Sequence, residues 1–297
     1  MMDQVNGIIL KGIGGFYYVE ASDSKIYECK ARGWFRKNGL TPCVGDRVVL
    51  SLQNDGYAAI DQILPRRNCL IRPPVCNIDR LFIVVSTCCP SPNQLIIDKM
   101  IATAVYQGIE PILVFSKTDL QKSEELAEIY RQSTIQTIDF SAVNGQGSDE
   151  IKEMLMGKTS VFTGNSGVGK SSLLNCILPN LQLETGRISQ KLGRGKHTTR
   201  QVELFHIDKD TFVADTPGFS VMDLQCYDII RKEELADCFY EFRPYLGTCK
   251  FTSCAHLCEK GCAILDAVDK GNIRQARHQS YVSMYQELQE KNEWERK

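Results

Sequence analysis

The chain has 297 residues, and its 35 Lys+Arg against 36 Asp+Glu leave a formal net charge of -1. This length allows roughly two domains of about 100–200 residues. Hydrophobic residues at 43% and charged residues at 24% exclude collagen-like, mucin-like and wholly disordered proteins. The balanced charge excludes a uniformly basic nucleic-acid coat, but not a local basic patch. We see no apolar run of membrane-helix length and no secretion signal, so we expect a cytoplasmic protein without membrane contact.

Residues 1–68 are predicted to form a small β-barrel of the oligonucleotide-binding (OB) type. Their β-rich segments are short and are separated by Gly, Asn, Asp and Pro. Five such strands fit the OB fold, and an SH3-like barrel is the alternative. Basic residues surround Trp34 and Phe35, an arrangement that suits RNA: Lys25, Lys30, Arg32, Arg36 and Lys37. From this segment alone, a solvated hairpin with aromatic residues in the barrel core is the better interpretation.

Residues 69–222 alternate between buried strands and helical periods, which predicts a parallel sheet covered on both faces. The expected strands are 81–86, 111–116, 137–140, 161–163 and 212–214. The expected helices are 93–107, 123–132, 149–156 and 170–178. Residues 223–297 are expected to be a helical domain that contains a cysteine and histidine cluster.

A phosphate-binding loop (P-loop) lies between the strand at 161–163 and the helix that begins at Lys170. It reads Gly164-Asn165-Ser166-Gly167-Val168-Gly169-Lys170-Ser171 and is followed by Ser172. Its glycines let successive backbone N–H groups turn toward phosphate oxygens, and the helix dipole adds to their field. Lys170 is expected to reach the β- and γ-phosphates, and Ser171 to bind Mg²⁺. A glycine-rich turn with a chance lysine does not explain the strand before the motif and the helix after it.

Two further segments complete the predicted Mg²⁺ and γ-phosphate site. Asp215, at the end of a strand, is expected to hold Mg²⁺ through water, and the Gly218 N–H to reach the γ-phosphate. The preceding loop contains Thr199, our first choice for a Mg²⁺ ligand that binds only while the γ-phosphate is present, with Thr198 as the alternative. Residues 185–202 include five basic residues and no acidic one, which suits ordering against a polyanion rather than only a solvated loop.

Base selection is assigned to two other strand ends. Ser116-Lys117-Thr118-Asp119 places a carboxylate where it can accept from the ring N–H and the amine of guanine, with the lysine stem over the ring. Ser141 and Ala142 would back the base. Together these segments predict GTP rather than ATP. They precede the P-loop in the chain, and this order indicates a circularly permuted GTPase domain.

Thirteen cysteines are present, and nine of them are scattered. We interpret those nine as core residues or idle thiols: Cys29, Cys43, Cys69, Cys76, Cys88, Cys89, Cys176, Cys226 and Cys238. The other four crowd together near the C-terminus with a histidine. Cys249, Cys254, His256 and Cys262 offer three thiolates and one imidazole, the donor set of a single structural zinc ion. Cys258 is a spare ligand.

The combination of a β-barrel, GNSGVGKSS, GRGKHTT, DTPGF and the C-terminal Cys/His cluster resembles the RsgA/YjeQ family of circularly permuted, ribosome-dependent GTPases. The resemblance covers nearly the whole chain. It implies a cytoplasmic bacterial factor for late maturation of the small ribosomal subunit. Such a factor binds ribosomal RNA through its barrel and GTP or GDP through its core. Its GTP hydrolysis is stimulated by the ribosome and drives its release, and we expect a monomer.

Two positions affect the expected chemistry. Ser116 stands where the family commonly has Asn, so guanine affinity is expected to be somewhat weaker. Phe219 follows Asp-x-x-Gly in place of the Gln that orients water in many GTPases, so hydrolysis by the free protein is expected to be slow. His197 is the candidate for the missing water contact, and an RNA-binding or solvated His197 is an even alternative. Two other functions remain open: a non-catalytic RNA-binding scaffold that only holds nucleotide and, more weakly, a small-molecule kinase.

Overall fold

The structure of the chain is a computed structural model that describes residues 4–52, 58–71, 74–179, 202–215 and 229–294. Within these ranges, eleven strands form one continuous sheet in the order β10-β9-β8-β11-β13-β12-β1-β2-β3-β5-β4. The first six of these strands belong to the predicted GTPase region and the last five to the N-terminal region. None of the helices in the described ranges is both long and apolar enough to cross a membrane.

The N-terminal region is a closed barrel of five strands: β1 (Gln4–Ile13), β2 (Phe16–Ala21), β3 (Ile26–Ala31), β4 (Arg47–Leu52) and β5 (Ala58–Ile63). β1 pairs with both β2 and β4, and β3 runs parallel to β5. This closed five-stranded arrangement confirms the OB type over the SH3-like alternative. Gly14 and Gly15 join β1 to β2 with φ of 59° and 88°, a left-handed turn that glycine adopts without a Cβ clash.

The aromatic and basic segment of the barrel divides between core and surface. It includes a short helix that the sequence pattern did not indicate, α1 (Gly33–Lys37). Phe35 is 3% exposed in the barrel core, whereas the neighbouring Trp34 is 59% exposed. Arg32 pairs with Asp61 at 2.7 Å. The expected core aromatic is therefore present, and one large ring next to it faces solvent.

Two short strands, β6 (Cys69–Ile71) and β7 (Pro74–Cys76), form a separate antiparallel ribbon between the barrel and the GTPase sheet. Cys69 and Cys76 are cross-strand partners and form a disulfide. The interpretation of these two cysteines as idle or core thiols is therefore wrong. The reason is that strand pairing brings together two side chains seven positions apart in the chain.

The GTPase region contains six strands: β8 (Arg80–Ser86), β9 (Glu110–Ser116), β10 (Gln136–Phe140), β11 (Thr159–Thr163), β12 (Glu203–Asp208) and β13 (Thr211–Asp215). Its helices are α2 (Gln94–Tyr106), α3 (Glu124–Tyr130), α4 (Ser148–Leu155) and α5 (Lys170–Ile177). All five predicted strands are present and run parallel. β12 is an additional, antiparallel strand that pairs with β13.

Both faces of this sheet are covered, as the continuous apolar strands predict. In β8, Phe82 and Val84 point into a core with α4 and α5. Leu81, Ile83 and Val85 point to the opposite face, where α2 and α3 pack. The alternation of side chains along a strand thus fills two cores from one sequence.

The C-terminal region is helical, as expected. It contains two 3₁₀ helices, Leu235–Cys238 and Tyr240–Tyr245, followed by α6 (Ala263–Asp269) and α7 (Gln275–Trp294). Its aromatic core includes Phe239, Phe242 and Tyr281, and Ala102 of α2 contributes to the same core. Arg277 of α7 is 1% exposed.

Candidate nucleotide and metal sites

Four of the predicted nucleotide-binding segments follow the carboxyl ends of parallel strands, so the sheet brings them to one edge. The P-loop follows β11, Asp215 ends β13, and the base-reading segments follow β9 and β10. Ligands of open α/β sheets bind at this edge. Of the other predicted site residues, His197, Thr198, Thr199 and Gly218 lie outside the described residues.

The P-loop is shaped by three glycines and one buried anchor. Gly164, Gly167 and Gly169 have φ of 150°, 81° and 94°. A Cβ on Gly164 would lie 2.4 Å from the Val84 carbonyl oxygen, so the loop can leave β11 only with glycine there. The Val168 side chain is 4% exposed in the core beneath the loop. The loop backbone is therefore anchored by the buried Val168 side chain and leads into α5 at Gly169.

Ser116 connects the base-reading segment to the P-loop. Its side chain is 1% exposed, and its hydroxyl lies 2.6 Å from the carbonyl oxygen of Val168 and 3.2 Å from that of Val85. The Thr87 hydroxyl donates to the Ser116 carbonyl at 3.1 Å. Ser116 therefore holds the P-loop backbone against β8 and β9, a role that the sequence reasoning missed because it considered this residue only for guanine affinity.

Lys117 lies across the P-loop. Its backbone is left-handed, with φ of 62°, and its ammonium donates to the Gly167 carbonyl at 2.8 Å and to the Cys89 carbonyl. The lysine stem also passes Gly169, with Cε 3.9 Å from where a Cβ would stand on that glycine. This placement of the stem beside the loop is compatible with the stacking over a base that the sequence predicts.

Asp119 is oriented by the second base-reading segment. The Ser141 hydroxyl donates to Asp119 Oδ1 at 2.7 Å and accepts from the Val143 N–H at 3.2 Å. The Thr118 hydroxyl donates to the Phe140 carbonyl at 3.1 Å. One hydrogen bond leaves an ionised carboxylate with further acceptor sites, which is what bidentate pairing with guanine needs. Ala142 follows Ser141 in the chain and is exposed.

Asp215 and Lys170 meet at the phosphate end of the site. Asp215 Oδ1 is buried and has no hydrogen-bond partner in the described part of the chain, and Lys170 Nζ lies 3.8 Å from it. Burial raises the pKa of Asp215, and the nearby lysine offsets part of that rise. A buried, incompletely paired carboxylate fits a divalent cation, because the cation favours the ionised form. Ser171 lies in the first turn of α5, next to Lys170.

The C-terminal Cys/His cluster has the dimensions of a metal site. The ligand atoms of Cys249, Cys254, His256 and Cys262 all lie within 4.8 Å of one another. His256 Nδ1 is 3.5 Å from the Cys249 sulfur and 3.4 Å from the Cys262 sulfur. Burial lowers the pKa of His256, which favours the neutral imidazole that binds metals. Cys258 is exposed and does not belong to the group.

The Glu259 carboxylate organises the loop around this cluster. The N–H groups of Ala255, Leu257 and Cys258 donate to the Glu259 carboxylate at 2.9, 2.8 and 3.1 Å. His256 has a left-handed backbone with φ of 60°. Three thiolates and an imidazole in a closed, partly buried loop are the donors of a structural zinc ion. Sequence spacing alone did not indicate the carboxylate that organises the loop.

The strand order, the P-loop at the carboxyl edge and the base-reading segments placed before it in the chain define a circularly permuted P-loop GTPase. Residues 63–225 match the model of the RsgA GTPase family, and residues 6–60 match that of the RsgA N-terminal domain. The chain therefore belongs to the RsgA GTPase family, as the motifs indicated.

Relatives and solved structures agree with this assignment over almost the whole chain. The chain is 45% identical to the "Small ribosomal subunit biogenesis GTPase RsgA" of Caldanaerobacter subterraneus, covering 98% of both chains. It is 43% identical to the protein of the same name from Geobacillus thermodenitrificans, covering 96% of this chain and 98% of the relative. Crystal structures of YjeQ from Thermotoga maritima and of YloQ, described as a circularly permuted GTPase, match with TM-scores of 0.82 and 0.76, each at 36% identity. They cover 96% and 97% of this chain, and the matches span 99% and 96% of the two solved chains.

Proposed function

We propose that this chain is a cytoplasmic GTPase that binds the small ribosomal subunit and assists its late maturation. The subunit stimulates GTP hydrolysis, and hydrolysis drives release. The observation that carries this proposal is the name shared by relatives that match nearly the full chain. The assembled nucleotide edge supports it, because the phosphate-binding and base-reading segments contact one another through Ser116 and Lys117.

The P-loop would bind the phosphates of GTP. Its backbone N–H groups surround the oxygens, and Lys170 neutralises charge on the β- and γ-phosphates. Mg²⁺, when bound, neutralises the charge that develops on the phosphate oxygens. Ser171 and Asp215 would hold the ion, and the buried, incompletely paired oxygen of Asp215 supports this assignment. Thr199, with Thr198 as the alternative, would join them only in the GTP state, with Gly218 donating to the γ-phosphate.

Guanine would be read by Asp119, whose carboxylate Ser141 already orients. Lys117 and Thr118 would flank the base on one side, and Ala142 would lie on the other. The remaining step, orientation of the attacking water, is assigned to His197, because Phe219 has no polar atom to offer. His197 would approach the water once the basic loop is ordered against ribosomal RNA.

The barrel and the zinc-binding domain would provide the surfaces that dock on the subunit. The exposed Trp34 is suited to stacking on an unpaired base, and the basic residues near it to phosphate contacts. Cys249, Cys254, His256 and Cys262 would bind one zinc ion, which would hold their loop together. We propose that the chain acts as a monomer and meets the ribosome with both flanking domains.

Steady-state phosphate release from GTP, with and without purified small subunits, tests the proposal. We expect slow release by the free protein and strong stimulation by small but not by large subunits. Lys170→Ala should lose both rates, whereas the matched control Lys152→Ala, at an exposed position of α4, should keep them. His197→Ala should still bind subunits with a non-hydrolysable GTP analogue but lose most of the stimulation. Subunit binding without any GTP hydrolysis would instead favour the non-catalytic scaffold.

A further inference from the structure

A second group of three sulfur atoms lies between the barrel and the GTPase sheet. The sulfurs of Cys43, Cys69 and Cys76 all lie within 4.8 Å of one another. Cys43 belongs to the loop that precedes β4, and the other two belong to the β6–β7 ribbon. Cys76 is fully buried, whereas Cys43 and Cys69 are partly exposed. The group is therefore reachable from solvent on one side and closed on the other.

Backbone contacts hold the three cysteines in this arrangement. The Cys43 N–H donates to Asp46 Oδ2 at 2.7 Å. The Cys76 N–H donates to the Val44 carbonyl at 2.9 Å, which joins the loop to the ribbon. Cys69 is the cross-strand partner of Cys76. Backbone hydrogen bonds between the Cys43 loop and the β6–β7 ribbon thus place the Cys43 sulfur next to the disulfide.

A disulfide uses two sulfurs and gives no reason for a third beside it. Three convergent thiolates are the donors that thiophilic cations such as Zn²⁺ prefer. The Arg66 guanidinium bonds one oxygen of the Asp46 carboxylate at 2.7 Å, and the other oxygen accepts from the Cys43 N–H, so an ion pair fixes the backbone at Cys43.

We propose that Cys43, Cys69 and Cys76, when reduced, form a second metal site in this chain for a thiophilic cation, with zinc as its probe. The Cys69–Cys76 disulfide is the oxidised, metal-free form of that site. Solvent or a small thiol supplies the fourth ligand on the exposed side. Because Cys43 comes from the barrel and the other two from the ribbon, the ion clips the barrel to the segment that leads into β8.

The change between the two forms balances with a low-molecular-weight disulfide as oxidant. The thiolates of Cys69 and Cys76 lose two electrons in total and form one S–S bond. The oxidant accepts the two electrons, its own S–S bond breaks, and it leaves as two thiolates. The metal ion departs with its charge unchanged, and Cys43 takes up one proton.

Cobalt titration of the full-length, reduced and metal-free chain tests this proposal, because Co²⁺ bound by thiolates absorbs in proportion to the number of occupied sites. We expect two equivalents for the wild-type chain, one for Cys43→Ser, and two for the control Cys89→Ser, whose exposed thiol lies outside both clusters. Cys249→Ser should lose the other equivalent, which separates failure of the C-terminal site from failure of this one. GDP binding verifies that each variant is folded. If Cys43→Ser does not fold, Cys69→Ser replaces it in the titration.

Oxidation of the zinc-loaded chain gives the complementary measurement. Addition of a low-molecular-weight disulfide should release one zinc ion. Peptide mapping of the same sample should then detect the Cys69–Cys76 bond. Cys43→Ser should form the same bond without releasing zinc. Equal cobalt binding by the wild type and Cys43→Ser, or a Cys69–Cys76 bond that persists after reduction of the folded chain with a phosphine, overturns the proposal.

Discussion

On one side of the GTPase region, β12 continues the sheet into β1 of the barrel. Lys11 and Glu203 are register partners there, and their side chains form a 2.8 Å ion pair that is 30% and 42% exposed. His206 and Glu20 make a second contact at 2.7 Å. A cavity of about 500 Å³ is lined by residues of both regions, among them Arg47. The two charged contacts are polar and partly exposed, whereas Ile8, Leu10 and Val44 of the barrel pack against the apolar core of the GTPase region.

On the other side, α2 meets the C-terminal domain through buried charges. Arg277 bonds Glu241 at 2.6 Å and also contacts Asp98 of α2, and all three residues are buried. The Tyr130 hydroxyl donates to Asp98 at 3.0 Å. Opening this junction would separate charges that are buried together, whereas the charged pairs at the barrel junction are already partly exposed to water. The charged contacts at the two junctions should therefore contribute very different amounts to stability.

The largest effect is expected from Arg277→Ala. It leaves the carboxylates of Asp98 and Glu241 buried without their cation, which should lower the free energy of unfolding by about 3–5 kcal/mol. Urea unfolding followed by fluorescence measures the loss. Arg131→Ala, in an ion pair whose arginine is 71% exposed, is the control and should change the free energy by about 0.5 kcal/mol or less. Equal effects of the two variants would show that burial does not make the Arg277 ion pairs stronger than an exposed pair.

A smaller loss is expected from Asp98→Asn, which keeps the size of the side chain but removes its charge. Arg277 retains Glu241, and the amide oxygen can still accept from Tyr130, so we expect a loss of about 1–3 kcal/mol. The same urea titration measures it, with the exposed Asp149→Asn as control. A loss larger than that of Arg277→Ala would show that Asp98, rather than the arginine, is central to the network.

The Lys11–Glu203 pair should contribute much less. A double-mutant cycle with Lys11→Met and Glu203→Gln should give a coupling free energy of about 0.2–1 kcal/mol, because both side chains are partly exposed. Added salt should reduce the coupling. A coupling as large as the Arg277 effect, or one that salt leaves unchanged, would show that water does not screen this ion pair.

The smallest expected effect is a pH dependence at the same junction. The two ring nitrogens of His206 face the Glu20 carboxylate and the Lys209 carbonyl, which are acceptors, so the doubly protonated ring satisfies both. Burial alone lowers the pKa of His206, but these two partners raise it by more. The folded-state pKa thus lies above the ordinary value of about 6.5. The stability that the protonated His206 contributes is fully present below its ordinary pKa, and it is lost as pH rises through the raised folded-state pKa.

Unfolding measured across this pH range checks the sign. From the low-pH end to the high-pH end of this range, the free energy of unfolding should fall further for the wild-type chain than for Glu20→Gln. The difference should be about 0.5 kcal/mol or less. A wild-type chain that gains stability relative to Glu20→Gln as pH rises would contradict the assignment of a protonated His206.

The parts of this fold that sequence predicts are those encoded locally. The P-loop and the five parallel strands follow from glycine spacing and apolar runs, and Cys249, Cys254, His256 and Cys262 follow from ligand spacing. The pairing of β1 with β12 was not predicted, because it joins residues 192 positions apart through main-chain bonds that any side chains permit.

At two sites, an interpretation based on residue type alone was incomplete or wrong. Ser116 differs from the family pattern, and the sequence could not show that its hydroxyl points to the Val168 carbonyl rather than to a base. The sequence between Cys69 and Cys76 contains Pro73-Pro74, a dipeptide that often marks turns and could have indicated their pairing. Cys43 reaches them only through the folding of the barrel, and no local pattern carries that information.

The attachment of β12 to the barrel also affects solubility. An uncovered edge strand presents unpaired N–H and C=O groups to other chains and promotes aggregation. Here β1 covers the start of β12, and the barrel then closes on itself through the β1–β4 pairing. Among the strands of the large sheet that the structure describes, β10 is left as the terminal strand. Removal of the barrel would therefore create a second open edge, so self-association of a truncated GTPase domain must be measured before any loss of ribosome stimulation is attributed to missing RNA contacts.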